Sequence, residues 1–145
     1  MGIKHHPKIG TVVLCDFSSG FTPPEMTKRR PAIIISKPIR ARPNLCTVVA
    51  ISTTKPSKIM PHHVEIDLPF NLPRPFNAKR VWIKGDMINA VGFHRVDLFR
   101  TGRDKNGKRN YLTSPLPEDL IALVQSRVLH SLGLSTLTKH LSNAT

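Results

Sequence analysis

No stretch of the chain approaches the run of about twenty apolar residues that a membrane-spanning helix needs. The basic opening MGIKHHPK also leads into no apolar segment of the secretion-signal kind. Cysteine is nearly absent: Cys15 and Cys46 sit singly in apolar segments, without metal-ligand spacing. They read as buried thiols of a cytoplasmic protein rather than a disulfide framework. There is no glycine-rich phosphate cradle of the P-loop or dinucleotide type, and no zinc signature. The adjacent pair His62-His63 cannot present both rings on one face of a strand, so a metal there would need distant ligands.

Acids are scarce too. The 145 residues hold 22 Lys and Arg against 9 Asp and Glu, a formal charge of +13. Residues 1–109 contain 20 of the cations and 7 of the acids, so the whole excess lies there and residues 110–145 balance to zero. Residues 28–58 carry eight cations and no acid. Such a concentration fits a polyanionic partner, nucleic acid ahead of a membrane surface; the plainer alternative is a solvated basic face kept for solubility. Hydrophobic residues at 39% are too many for a disordered basic tail, and the length suits one domain spanning 1–145.

What is present in quantity is β-branched residues and proline. Segments 11–17, 31–36 and 45–51 are apolar, β-branched and bounded by Gly, Pro or Asn, which predicts strands buried on both faces or closed into a barrel. Segments 63–67 and 81–83 alternate as half-buried strands, and 88–93 reads as a further strand with Gly92 at a bend. Asp104-Lys105-Asn106-Gly107 reads as a hairpin turn, since Asn-Gly accepts the positive φ of tight hairpins. Thirteen prolines punctuate the chain, and residues 21–29, 37–44 and 68–78 read as loops. From Pro117 the pattern changes to a helix, with Glu118 and Asp119 at its positive end and an apolar face of Leu120, Ile121, Val124, Val128 and Leu132. Gly133 supplies its stop, and a second short helix fits 135–141. The expected fold is mainly β (α+β): a small SH3-like β-barrel with its loops over 1–113, and a C-terminal amphipathic helical segment over 114–145.

Three sets of polar residues stand at predicted strand ends: Arg30 before PAIIIS, Ser52-Thr53-Thr54 after LCTVVAI, and Lys84 and Asp86 around Gly85. Arg, Lys, hydroxyls and one carboxylate suit phosphodiester chemistry, because cations neutralise charge on the phosphorus oxygens and a carboxylate moves a proton. RNA brings its own 2′-hydroxyl nucleophile, whereas DNA hydrolysis would ordinarily need metal ions held by several carboxylates. Each set has a structural alternative. Arg30 can salt-bridge Asp16 or Glu25, Asp86 can form a turn with Gly85, and the hydroxyls can bond the local backbone.

In order along the chain stand GTVVLCDF (10–17), Glu25, RRPAIIIS (29–36), VVAISTT (48–54), PHHVEID (61–67) and VWIKGDMI (81–88). This succession resembles the PemK/MazF toxins of type II toxin–antitoxin systems, from about residue 8 to 91 and again in the helix. The resemblance implies a cytoplasmic homodimer of SH3-like barrels that cuts single-stranded RNA at short sequences, inhibits growth, needs no metal or cofactor, and is neutralised by an acidic antitoxin. It implies a catalytic set of Arg30 as proton donor or phosphate stabiliser, Asp86 as proton acceptor and Ser52, which with Thr53 supplies hydroxyls at the substrate. Lys84 as a basic neighbour and Glu25 as the acid of the first loop are implied to meet the RNA. With Thr54, the cations Lys28, Arg29 and Arg42 are then expected to hold the RNA strand. A non-catalytic nucleic-acid binder, or a toxin that poisons a DNA enzyme, is the alternative on the same barrel. Three departures from the family pattern stand out: Pro23-Pro24 before Glu25, Met87 in place of a common glutamine, and a longer, more basic segment over 93–111.

Overall fold

Strands form where β-branched residues crowd, because such side chains lose little freedom on a pleated surface and pack well across it. The computed structural model describes residues 2–141. It contains β1 (Val12–Phe17), β2 (Lys28–Ile34), β3 (Leu45–Ser52), β4 (His63–Asp67), β5 (Arg80–Gly92) and β6 (Val96–Leu98), followed by β7 (Arg100–Arg103) and β8 (Arg109–Tyr111). The first six make one antiparallel sheet in the order β4-β5-β3-β2-β1-β6, and β7 pairs with β8 as a separate hairpin around the expected Asn-Gly turn.

The two central strands β2 and β3, and β1 beside them, are apolar on both faces, and two cores result. Val12, Ile33, Val49, Ile51 and Ile83 face one side, where Val124 of the C-terminal helix packs on them. Val13, Cys15, Phe17, Ala32, Ile34 and Val48 face the other, covered by Met26, Phe93 and Val96. Each buried Val, Ile, Met or Phe among them contributes about 1.5–3 kcal/mol on burial.

The sheet does not close into the expected barrel. Among the described residues β4 and β6 each pair on one side only. The first core is instead completed by Leu68, Leu72 and Phe76, with Phe76 edge-on to Phe99 at 6.0 Å. Pro69, Pro73 and Pro75 lack the N–H groups a closing ladder needs in that segment, so side chains rather than hydrogen-bonded strands cover the gap.

Two strands differ from expectation. β2 begins at Lys28, not Pro31, because Phe17, Asp16 and Cys15 of β1 pair with Lys28, Arg29 and Arg30 and draw the basic residues into the ladder. The segments expected as separate strands at 81–83 and 88–93 are one strand with a bulge. Val49 faces Ile88 and Ile51 faces Ile83, so Lys84-Gly85-Asp86-Met87 protrude from the pairing with β3.

α1 (Glu118–Ser131) starts after Pro117, carries Glu118 and Asp119 in its first turn, and is followed by a 3₁₀ turn (Ser135–Leu137) and α2 (Thr138–Leu141). Leu120, Ile121, Leu123, Val124 and Val128 pack on the sheet. Leu132, expected on this face, is 58% exposed, because the helix ends one residue earlier. No helix among the described residues is long and apolar enough to cross a membrane.

Candidate functional site

The start of β2 carries Lys28, Arg29 and Arg30 in succession. Lys28 adopts a left-handed backbone conformation (φ 70°), uncommon for a residue with a Cβ, as it turns from the first loop into the ladder. Across β3, the chain leaves the sheet at Ser52 and immediately exposes Thr53 and Thr54. The Ser52 hydroxyl is buried and accepts the Thr54 N–H at 3.1 Å, so this local bond fixes the turn that presents the two threonines. Lys28, Arg29, Arg30, Thr53 and Thr54 then line one cavity of about 310 Å³, closed by Leu72, Pro75 and Phe76. No carboxylate lines it among the described residues. Three cations and two hydroxyls around an acid-free cavity make a site for an anionic group with oxygen acceptors, such as a phosphodiester.

Arg30 pairs with neither Asp16 nor Glu25; its Nε donates to the Thr27 carbonyl at 2.8 Å. Arg29 instead reaches Asp97 across β1, Nη2 to Oδ2 3.9 Å, with both groups partly exposed. Asp16 is held below the usual carboxylate range by side-chain and backbone hydrogen bonds from Ser18. Glu25 is exposed in the first loop, where its carboxylate takes the Thr22 N–H at 3.4 Å, and Arg42 is exposed in the β2–β3 loop. Neither residue lines the cavity.

Asp86 and Lys84 lie in a second cluster, on the β5 bulge. Gly85 makes this possible. Its N–H donates to the His62 carbonyl at 3.0 Å, and its carbonyl accepts the Ser131 hydroxyl of α1 at 2.9 Å. The bulge is thereby clamped between the entry to β4 and the end of α1. Lys84 pairs with His63 of β4, and the Asp86 carboxylate lies 3.6 Å from His62 Nε2. Asp86 and Arg30 therefore belong to separate clusters, and no described hydrogen bond or ion pair joins them.

The histidine pair corrects the sequence expectation. His62 lies in the turn before β4, where strand alternation does not apply, and its ring sits 4.3 Å from that of His63. Donor atoms of His62, His63 and Asp86 all fall within 4.8 Å of one another, so the ligands are near rather than distant. His63 Nδ1, however, accepts the Met60 N–H at 3.0 Å, which puts the proton of the neutral ring on Nε2 and takes that lone pair from a metal. Burial, with the charges of His62 and Lys84 beside it, pushes the His63 imidazole below its ordinary 6.5 against the pull of Asp86.

A model of the PemK-like, MazF-like toxins of type II toxin–antitoxin systems matches residues 8–132. The chain belongs to this toxin family. Among its relatives, YifN of Escherichia coli K12 is 27% identical over 155 residues, which span 94% of this chain and 99% of YifN. Of solved structures, MazF from Deinococcus radiodurans superposes with a TM-score of 0.58 at 21% identity, covering 89% of this chain and 98% of that one. A mycobacterial endoribonuclease in complex with its cognate antitoxin gives 0.55 at 19%, covering 89% and 97%. At these identities the likeness establishes a MazF-like, mainly β fold.

Two features of this candidate site escaped the sequence. Phe76 sits in the proline-rich segment 68–78, where only its aromatic character among prolines was a signal. His62 and His63 were visible as a pair, but their approach to Asp86 depends on a bulge whose register no local pattern encodes.

Proposed function

We propose that the protein is a metal-independent endoribonuclease toxin that cuts single-stranded RNA at short sequences. The observation that carries this reading is the gathering of Lys28, Arg29, Arg30, Thr53 and Thr54 around one acid-free cavity. The RNA 2′-hydroxyl attacks the adjacent phosphorus and the P–O5′ bond breaks, leaving a 2′,3′-cyclic phosphate and a 5′-hydroxyl. Arg30 neutralises the charge that gathers on the phosphorus oxygens, and the threonine hydroxyls hold the backbone. Asp86, beside His62 and Lys84, accepts the 2′-hydroxyl proton, while the leaving 5′-oxygen takes a proton from a donor or water. Arg30 and Asp86 lie in separate clusters, so this step requires bound RNA to bring both to one phosphodiester. Ser52 acts by holding Thr53 and Thr54, and Glu25 and Arg42 act on flanking RNA from their loops. The mycobacterial endoribonuclease in complex with its cognate antitoxin supports an antitoxin as partner, and the charge of +13 favours an acidic one that silences the protein. A cytoplasmic homodimer built from one domain per chain, arresting growth when released from that partner, completes the reading.

The test is purified protein with single-stranded RNA in EDTA. Cyclic-phosphate ends are expected from the wild type and none from Arg30→Ala or Asp86→Asn. Arg42→Ala should weaken binding and lower the salt slope by about 0.7 for the lost phosphate contact. Intact RNA with wild-type protein would overturn the proposal.

A further inference from the structure

A second and larger cavity, of about 720 Å³, lies beside the first. It is bounded by the amino-terminal residues Gly2–His5, by β1 and β6, and by the β7–β8 hairpin. Arg29 and Phe76 line both cavities, so the two are neighbours. Its walls are largely apolar, with Leu14, Phe76, the buried Phe99 and Tyr111, while Arg74 and Arg100 stand among the residues around it. The one acid lining it among the described residues, Asp97, accepts the Gly2 N–H at 2.9 Å and lies 3.9 Å from Arg29. Its volume falls in the range of ligand sites, about 300–1,000 Å³.

The hairpin beside it is built to present positive charge. Leu112 N–H donates to the Phe99 carbonyl at 2.8 Å, which anchors the hairpin base on a core residue. The one hairpin acid, Asp104, is exposed, and its carboxylate takes the turn N–H groups of Asn106 and Lys108 at 2.8 and 2.9 Å. Arg100, Arg103, Lys105, Lys108 and Arg109 are left exposed around it. Arg100 pairs in register with Tyr111, whose ring is 44% exposed. A cation beside a half-exposed aromatic, opening on an apolar cavity, is the arrangement on which a nucleobase stacks while its phosphates meet the cations.

We infer that this second cavity is a nucleobase subsite. It receives one or more bases of the single-stranded RNA that flank the cut, with the β7–β8 hairpin as the arm that holds them. This rests on the endoribonuclease reading and adds to it a determinant of sequence preference. An acidic peptide would use the same cations but has no need of an aromatic surface, and the half-buried Phe76 and the exposed Tyr111 favour RNA.

The experiment uses the full chain and two readouts. The first is binding of a short single-stranded 2′-O-methyl RNA, which lacks the nucleophile. The second is sequencing of the ends cut from a random RNA pool. Tyr111→Ala and Arg100→Ala should each weaken binding roughly tenfold, the loss of one stacked base or one backbone cation. They should also flatten base preference at a position flanking the cut. Tyr111→Phe, which keeps the ring, should retain both. Wild-type binding and cutting preference left unchanged by Tyr111→Ala and Arg100→Ala would overturn the subsite while leaving the endoribonuclease reading intact. Unchanged RNA binding with weakened polyglutamate binding would overturn it in favour of an acidic peptide. Wild-type protein that neither binds nor cuts RNA would overturn both readings.

Discussion

A Cβ placed on Gly85 would lie 2.5 Å from the carbonyl oxygen of Arg127, so β5 and α1 meet backbone to backbone at the bulge that carries Asp86. The same Cβ would come within 2.8 Å of the His62 carbonyl oxygen. Neither neighbour is a flexible side-chain tip that can swing aside. Gly85→Ala must therefore separate α1 from the sheet, at a cost of about 1–3 kcal/mol, as in other overpacked sites. Chemical denaturation should read that loss, and RNA cleavage should fall further than stability does, because Asp86 moves with the bulge. An alanine variant as stable and active as wild type would contradict the close approach.

Lys28 holds a positive φ of 70° where the first loop enters β2. A left-handed backbone costs a residue with a Cβ about 1–2 kcal/mol. Glycine removes that strain but loses about 0.5–1 kcal/mol through its freer unfolded chain. Lys28→Gly should thus be as stable as wild type or up to ~1.5 kcal/mol more stable. It should bind RNA less tightly, with a salt slope lower by about 0.7. Thermal unfolding and a salt titration of binding separate the two effects.

Burial pushes the Cys15 thiol up to about 12, with Cys46 adding to the shift, and burial alone pushes Cys46 up to about 11. Thiolate is the reactive form, so neither residue should react with a thiol reagent in folded protein at neutral pH, and both should react in denaturant. Unfolded thiols ionise near 9.0, so the stability gained from keeping them neutral is complete below that pH. It is lost as pH climbs from 9.0 through the folded values. Urea midpoints measured on the alkaline side should show this fall, and Cys15→Ala should shrink it.

His63 behaves oppositely. Its folded imidazole is held below the ordinary 6.5 by burial first, with His62 and Lys84 adding and Asp86 opposing. Folded protein resists the proton that unfolded chain accepts, so stability is full above 6.5 and declines as pH falls through the folded value. His63→Gln should flatten that acidic decline in denaturation midpoints. An unchanged slope would show that other groups control it.

Much of the fold was legible because its signals are local. The β-branched runs at 11–17, 45–51 and 63–67 fall on β1, β3 and β4, and Pro117 with Glu118 and Asp119 marks the start of α1. The candidate site was legible residue by residue but not as an assembly. Arg30, Thr53 and Thr54 share a cavity as the strand-end argument anticipated, whereas Asp86 stands apart with His62. That partition follows from the pairing of Val49 with Ile88 and of Ile51 with Ile83, a register set by the whole β3–β5 ladder.

The sequence by itself determined the strand and helix types, the confinement of the +13 charge to residues 1–109, and membership of the toxin family through six ordered motifs. Each depends on residues close together in the chain or on their order. Only the tertiary structure decided that the sheet stays open, that Gly85 seats α1 against the bulge, and that Arg29 and Phe76 line two neighbouring cavities. These depend on which distant backbones approach within a few ångströms, and that is settled by the packing of all the elements at once.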